Sequence, residues 1–425
     1  MKILLSAYAC EPNRGSEPGV GWHWTIELMR AGHEVWVITR QNNQAVIEAA
    51  LKQNPIVSPE KLHFIYFDLP KWLTFWKQGG QGVHLYYFLW QIGIYFIARK
   101  LMKTVNLNVI HHVTFVSIRF PSFLGLLGVP FIFGPVSGGE KAPWPLRQSF
   151  PLQGWIRDFI RDGLNAWVQW DPLMHLTLAS AQKIYVGTSD SYALLPKRYH
   201  AKAEIQLAIG IDPAQLNPPR CSAVNVDNPI QNANANNPLD PATQPFKILY
   251  VGNLLYLKGI HLGLRAFAKL LEAYPNSQLT LIGSGPESAW LKQLAGQLKL
   301  EKQVEWIPKM AQTELMQRYP AYDVFLFPSL HDSGGMVILE AMAHGLPVVC
   351  LDLGGPGRIV DASCGRVIPT HNQNETQIIH RLSEALAELA TQEALRAVLS
   401  KQTQTRLQYF LWSNLIQRVY PTSEA

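Results

Sequence analysis

"FKILYVGN", residues 246–253, decides how this chain is to be read. An apolar run closes on a glycine, and "LLYLKGI" then leads through a short loop into a helical pattern. The chain begins in the same way, where "MKILLSAYAC" (1–10) runs into "EPNRGSEPGVGWHW". Strand, glycine-containing loop and helix, written once at the start and again past the middle, predict two parallel-sheet domains.

Working outward from residue 246, "QLTLIGSGP" (278–286), "QVEWIP" (303–308), "DVFLFPS" (323–329), "LPVVCLD" (346–352) and "GRVIP" (365–369) supply further strands with helical stretches between them. In the first half, "KILLSAY" (2–8), "EVWVIT" (34–39), "LHFIYF" (62–67), "NVIHHV" (108–113), "PFIFG" (130–134) and "KIYVGT" (183–188) do the same. Alternation of short strands with longer helical segments argues a sheet wound by right-handed crossovers. Residues 217–245, rich in Asn, Pro and Ala, contain almost nothing bulky and apolar, and read as a flexible linker or insertion. The expected division is therefore a Rossmann-like domain over 1–212, a linker over 213–245 and a second Rossmann-like domain over 246–399. The amphipathic pattern "LQYFLWSNLIQRVY" (407–420) gives a closing helix, about 400–421, that returns to the first domain. Two such domains face each other across a cleft and place a ligand between the carboxyl ends of their sheets.

Composition narrows the function classes. A chain of 425 residues with 48% hydrophobic and 16% charged residues is a well-buried globular protein. The net charge of +6 and pI near 9.0 suit an anionic substrate or an anionic membrane surface. No dense Lys/Arg stripe marks a nucleic-acid partner. Cys10, Cys221, Cys350 and Cys364 show no C-x-x-C spacing and read as reduced thiols of a cytoplasmic protein. The apolar run before Pro12 is too short for a signal segment. "VHLYYFLWQIGIYFIA" (83–98) is sixteen residues long, short of the ~20 that a spanning helix needs. A buried or partly exposed helix of an α/β domain is the expectation there. Peripheral membrane contact comes second, because aromatics adjoin Arg99, Lys100 and Lys103, and a spanning helix comes last.

Three glycine loops follow strands. Gly15 and Ser16 precede the first helix; Gly252 and Asn253 lead to Lys258; Gly283 and Gly285 open the next turn. Glycines there allow a ligand close to the backbone, and equally serve ordinary turns. None forms G-x-G-x-x-G with a ribose-binding acid behind it, which disfavours a nicotinamide dehydrogenase. The distinctive stretch is "PSLHDSGGMVILEAMAHGLPVV" (328–349). A helix beginning near Gly335 and stopping at Gly345 places Asp332 just before it and Glu340 on its second turn. The backbone N–H groups of Gly335, Met336 and Val337, with Gly334 before them, would then face an anion. Carboxylates at either side suit the hydroxyls of a sugar and of a ribose.

These motifs together resemble a family 4 glycosyltransferase of the GT-B type, over nearly the whole chain. "GSEPGVGWHWTIELMRAGHEVWVIT", "IGID" (209–212), "VGNLLYLKG", "IGSGP", "YDVFLFPS", the D-x7-E stretch and "FLWSNLIQRVY" follow in that family's order. The resemblance implies a retaining transferase that moves a sugar from a nucleotide diphosphate sugar, UDP- or GDP-linked, to a glycan or lipid-linked acceptor. It implies no cofactor and no metal, and a place in the cytoplasm at the inner face of a membrane, in polysaccharide or glycoconjugate assembly. It assigns Lys258 to the departing diphosphate, Glu340 to the ribose, Asp332 to the donor sugar, Gly15 to the phosphates and the Gly335–Met336–Val337 backbone to the diphosphate and sugar. It also implies a histidine facing the donor; His111 and His112 both qualify, spacing does not decide between them, and His111 is preferred. Acceptor contacts would come from residues 70–82 and 135–175, although most aromatics there read as packed.

Two positions depart from that pattern: Asn253 stands where an Arg is usual, and Asp332 where a Glu is usual. Arg358 is a candidate to supply the missing charge. The departures sustain two alternatives, a nucleotide-sugar-binding protein that no longer catalyses transfer and another GT-B enzyme such as an epimerase.

Overall fold

The computed structural model describes residues 1–12, 14–53, 59–77, 82–115, 117–216 and 245–421. It divides into two compact units: residues 1–140, 160–210 and 412–425 in the first, 141–159 and 211–411 in the second. The expected linker at 213–245 lies outside the described residues except for a 3-10 turn at Pro213–Gln215, Leu216 after it and the position 245.

The first unit is built on a seven-stranded parallel sheet: β1 (Lys2–Ser6), β2 (Glu34–Thr39), β3 (Leu62–Tyr66), β4 (Val109–His112), β5 (Phe131–Val136), β6 (Lys183–Val186) and β7 (Ala203–Ile205), in the order β3-β2-β1-β4-β5-β6-β7. The switch of direction between β1 and β4 makes it doubly wound. β7 was not foreseen; three residues at a sheet edge are too few to show a period. Helices α1 (Ser16–Arg30), α2 (Gln44–Gln53), α3 (Val83–Leu101), α4 (Leu152–Trp167), α5 (Pro172–Ser180) and α6 (Ser189–Leu194) join these strands, the first half of α4 being grouped with the second unit. The stretch at 83–98 is α3, with Tyr86, Tyr87, Trp90, Ile94 and Ala98 in the core. Among the described residues no helix is long and apolar enough to cross a membrane.

The second unit repeats the scheme with six parallel strands: β8 (Lys247–Val251), β9 (Gln278–Ile282), β10 (Val304–Ile307), β11 (Val324–Phe327), β12 (Val348–Leu351) and β13 (Gly365–Ile368), ordered β10-β9-β8-β11-β12-β13. Strands β8, β11 and β12 are nearly continuous apolar runs, buried along their length as strands covered on both faces must be. Helices α7 (Ile260–Ala273), α8 (Ser288–Gln297), α9 (Gln312–Arg318), α10 (Met336–Ala343), α11 (Pro356–Ile359), α12 (Glu375–Thr391) and α13 (Glu393–Leu407) flank the sheet. The last helix, α14 (Trp412–Val419), is in the first unit, where Trp412 stacks on His23 of α1 with centroids 4.9 Å apart. Two parallel-sheet Rossmann-like domains in one chain are the composition of the GT-B fold.

The aromatics of residues 135–175 correct one expectation. Trp144, Trp167 and Trp170 are exposed, not packed. α4 has turned its polar side inward, where Asp158 meets Arg147 at 3.2 Å and both are fully buried. Once that ion pair is inside, the helix geometry forces the opposite, apolar side out.

Cys10, Cys350 and Cys364 are buried free thiols; Cys221 is outside the described residues. Burial pushes Cys10 up to about 12 and Cys364 up to about 11.

Candidate functional site

The site is organised by the loop between β11 and α10. Gly335 sits at φ +93°, the left-handed region, and a Cβ there would lie 3.1 Å from Ile338. That turn starts α10 at Met336, as the sequence predicted, with no side chain capping it. The backbone N–H groups of Gly335, Met336 and Val337 have no protein acceptor among the described residues. They form the positive end of a helix whose first turn is unsatisfied.

Lys258 ends a 3-10 turn, Tyr256–Lys258, that follows β8. Two backbone features lock that turn against the β11 exit loop. Gly259, also left-handed at φ +64°, comes so close that a Cβ would be 1.9 Å from the Pro328 carbonyl oxygen. Leu330 N–H donates to the Leu257 carbonyl at 2.9 Å. The result is that Lys258 Nζ reaches Asp332 Oδ2 at 2.5 Å, while Asp332 Oδ1 accepts from Gly334 N–H at 3.1 Å. Asp332 thus braces the loop instead of capping the helix.

Glu340, on the second turn of α10, is 8% exposed. Its Oε1 accepts from Gln312 Nε2 and its Oε2 from the Tyr319 hydroxyl, both at 3.1 Å. Burial pushes the Glu340 carboxyl up to about 7, although these two donors pull the other way. Tyr319 is itself held by stacking on His344, centroids 5.0 Å apart. Neither Gln312 nor Tyr319 was anticipated. They lie in α9 and in the turn before β11, and no motif or spacing ties them to Glu340.

The glycines of the β8 and β9 exits answer to each other. A Cβ on Gly283 would fall 1.9 Å from the Gly252 carbonyl oxygen, and one on Gly285 would fall 2.2 Å from that of Leu254. Asn253 between them is exposed, its carbonyl accepting from Tyr250 Oη at 3.2 Å. Arg358 is exposed on α11, in the segment where Gly355 N–H donates to the Asp332 carbonyl at 2.8 Å.

In the first unit, Gly15 precedes α1 and Ser16 begins it. Gly15 has ordinary backbone angles, φ −77° and ψ 179°. A Cβ built on it would meet nothing within 4 Å. Neither strain nor packing requires glycine at that position.

His111 and His112 end β4 and point to opposite faces. Both are fully buried, and burial lowers each to about 3, so both are neutral. His111 spends both ring nitrogens: Nε2 lies 2.5 Å from the Gly134 carbonyl, which can only accept, and Nδ1 lies 2.6 Å from Tyr420 Oη. For His112, Nε2 meets Tyr87 Oη at 3.1 Å, and that hydroxyl accepts from Gln91 Nε2 at 2.7 Å. The Tyr87 oxygen, with two lone pairs and one proton, can either donate to Nε2 or accept from it. Nδ1 of His112 has no hydrogen-bond partner. The preferred histidine is therefore the one with no polar atom left over.

The structure thus gathers Lys258, Asp332, Gly334, Gly335, Met336, Val337 and Glu340 around one loop and helix start, with Gly252, Asn253, Gly283 and Gly285 at the neighbouring strand exits. His111, His112, Gly15 and Ser16 belong to the other unit. Among the described residues no three His, Cys, Asp or Glu side chains gather as metal ligands.

Residues 232–406, which hold this loop, match the family described as glycosyl transferases group 1. A glycogen synthase of Mycobacterium tuberculosis is 34% identical over 120 residues, 28% of this chain. The match spans 29% of that relative's length. Among solved structures, sucrose-phosphate synthase from Thermosynechococcus elongatus superposes with a TM-score of 0.61 at 20% identity, covering 98% of this chain and 97% of its own. HepE of Anabaena, solved in complex with UDP, gives 0.57 at 16% identity, covering 99% and 98%. At those identities the likeness establishes the GT-B fold.

Proposed function

We propose that the chain is a retaining family 4 glycosyltransferase that moves a sugar from a UDP- or GDP-sugar to a glycan or lipid-linked acceptor, without a metal. The observation that carries the reading is the α10 start. Three bare N–H groups stand between the Lys258–Asp332 pair and the buried Glu340, inside the stretch that matches the group 1 family. A diphosphate fits the N–H groups and the lysine; a ribose diol fits a carboxylate that can accept twice.

In this reading the acceptor hydroxyl attacks the anomeric carbon from the side on which the diphosphate leaves. The new bond is acceptor oxygen to anomeric carbon, the bond lost is anomeric carbon to phosphate oxygen, and the hydroxyl proton passes to the departing diphosphate. Lys258 and the Gly335–Val337 backbone hold the charge that develops there, so catalysis is chiefly electrostatic and positional. Asp332 contacts the donor sugar, and the Gly15–Ser16 loop offers backbone to a phosphate. Of the two histidines, we assign the donor-facing role to His112, whose Nδ1 has no hydrogen-bond partner. The setting is polysaccharide or glycoconjugate assembly, in the cytoplasm with peripheral contact at a membrane face.

The deciding experiment measures binding and turnover with a panel of UDP-, GDP- and ADP-sugars. Micromolar binding of one of them with release of free nucleotide is expected. Binding of none overturns the proposal, and tight binding without turnover in any acceptor mixture selects the non-catalytic alternative.

A further inference from the structure

Helix α4 is built inside out. Its inward positions are polar: Asp158 is fully buried against Arg147 and accepts from the Tyr256 hydroxyl at 3.3 Å, and Asn165 is 4% exposed. Its outward positions are Leu152, Ile156, Phe159, Ile160, Leu164 and Trp167, every one more than half exposed. They recur at helical spacing and so form one stripe, about 24 Å long for sixteen residues. Trp170, 68% exposed, follows in the turn just beyond the helix. Helices of water-facing proteins carry the opposite arrangement.

The chemistry of this face selects what covers it. The other exposed positions of α4 are Gln153, Arg157, Gly163 and Ala166, so the face carries one cation and no carboxylate. A specific protein interface would need about one hydrogen bond per 100–200 Å² and a polar rim; two polar side chains over four turns do not provide that. An apolar stripe, a cation without acids and tryptophans at one end are what an anionic bilayer surface takes up. The chain's net charge of +6 favours the same surface.

We infer that α4 lies in the plane of an anionic phospholipid membrane with this stripe immersed in the headgroup–acyl boundary. The inference gives residues to the peripheral contact in the proposed function and moves it from 83–98, where Tyr86, Tyr87 and Trp90 are core and Phe96 is the one exposed Phe, Tyr or Trp, to α4. It does not depend on sugar transfer.

The test is co-sedimentation of the full chain with vesicles, without any nucleotide sugar. Vesicles of phosphatidylcholine with 30% phosphatidylglycerol should carry the protein down, and pure phosphatidylcholine vesicles should carry at least fivefold less. The exposed-face variant Phe159→Glu/Ile160→Glu/Leu164→Glu should lose at least tenfold of the bound fraction. Val398→Glu, at an exposed apolar position of α13, should lose none. Thermal unfolding reports whether the triple variant is folded; if it is not, Ile160→Asp alone replaces it, with a threefold loss expected. Failure of the wild type to sediment, equal binding to both vesicles, or undiminished binding by the folded variant overturns the inference. So does a wild-type dimer in solution that the variant disperses while neither binds vesicles. Nucleotide-sugar binding, measured without vesicles, succeeds or fails separately.

Discussion

Lys258 Nζ stands 2.5 Å from Asp332 Oδ2 because two loops are joined backbone to backbone beneath them. The ammonium and carboxylate are each less than one-fifth exposed, and the other carboxylate oxygen is already taken by Gly334 N–H. The lysine's charge is therefore balanced, and under the proposed function an incoming diphosphate would compete with Asp332 for it. Lys258→Ala is expected to lower turnover at least tenfold and to weaken UDP binding by a similar factor. Asp332→Asn keeps an oxygen for Gly334 and releases the lysine, so it is expected to bind UDP as tightly as the wild type or more so, while losing discrimination among donor sugars. Titration calorimetry with UDP and a donor panel check both; weaker UDP binding in Asp332→Asn would show that the pair is not a competition.

Glu340 gives a pH dependence of definite sign. Burial raises its carboxyl to about 7, so between the unfolded value near 4.5 and pH 7 the folded chain holds the proton more firmly. This stability is fully present below the unfolded value and is lost as pH rises through 7, by at most on the order of 3 kcal/mol. Ribose hydroxyls need an acceptor, so UDP affinity is expected to run the other way and rise through pH 7. Glu340→Gln should flatten both curves. Urea unfolding and UDP binding from pH 5 to 8.5 measure them, and unchanged slopes in the variant would remove Glu340 from both roles.

How far the sequence could be read follows from what kind of signal each feature leaves. The strands showed because apolar runs such as "DVFLFPS" are bounded by polar or glycine residues, and the start of α10 showed because two glycines precede an apolar helical run. The partners of Glu340 did not show: Gln312 and Tyr319 reach it only after β10, α9 and β11 are folded around one another. The outward face of α4 is not legible in the sequence for a related reason. Its pattern gives the angle between the apolar and polar faces, and only the buried Arg147–Asp158 pair says which face is inside.

Two glycines separate packing from ligand approach. Gly283→Ala would thrust a Cβ to 1.9 Å from the Gly252 carbonyl at a backbone angle of φ +153°. It is expected to destabilise the chain by about 2 kcal/mol or more, whatever it does to activity. Gly15→Ala meets no atom within 4 Å and no unfavourable angle. Its stability is expected to stay within about 0.5 kcal/mol of the wild type, while transfer falls at least tenfold if a phosphate passes there. Denaturant unfolding and initial rates on both variants decide; a Gly15→Ala protein with full activity would make that glycine incidental.

Arg147 is a cation whose removal is costly. It is 0% exposed, pairs with the equally buried Asp158 and donates through Nε to the Ala142 carbonyl at 2.8 Å. Asp158 in turn accepts from Tyr256, two residues before Lys258. Arg147→Met leaves the Asp158 carboxylate buried without its cation, which is expected to cost about 3–5 kcal/mol. Arg147→Met with Asp158→Leu removes both charges and should recover most of that loss. The double variant also loses the oxygen that holds Tyr256, so transfer should remain at least threefold low even where stability is restored. Urea unfolding and turnover, measured on the single and double variants, separate the two effects. Full activity in the stable double variant would show that the buried pair supports the fold alone and does not position the Lys258 turn.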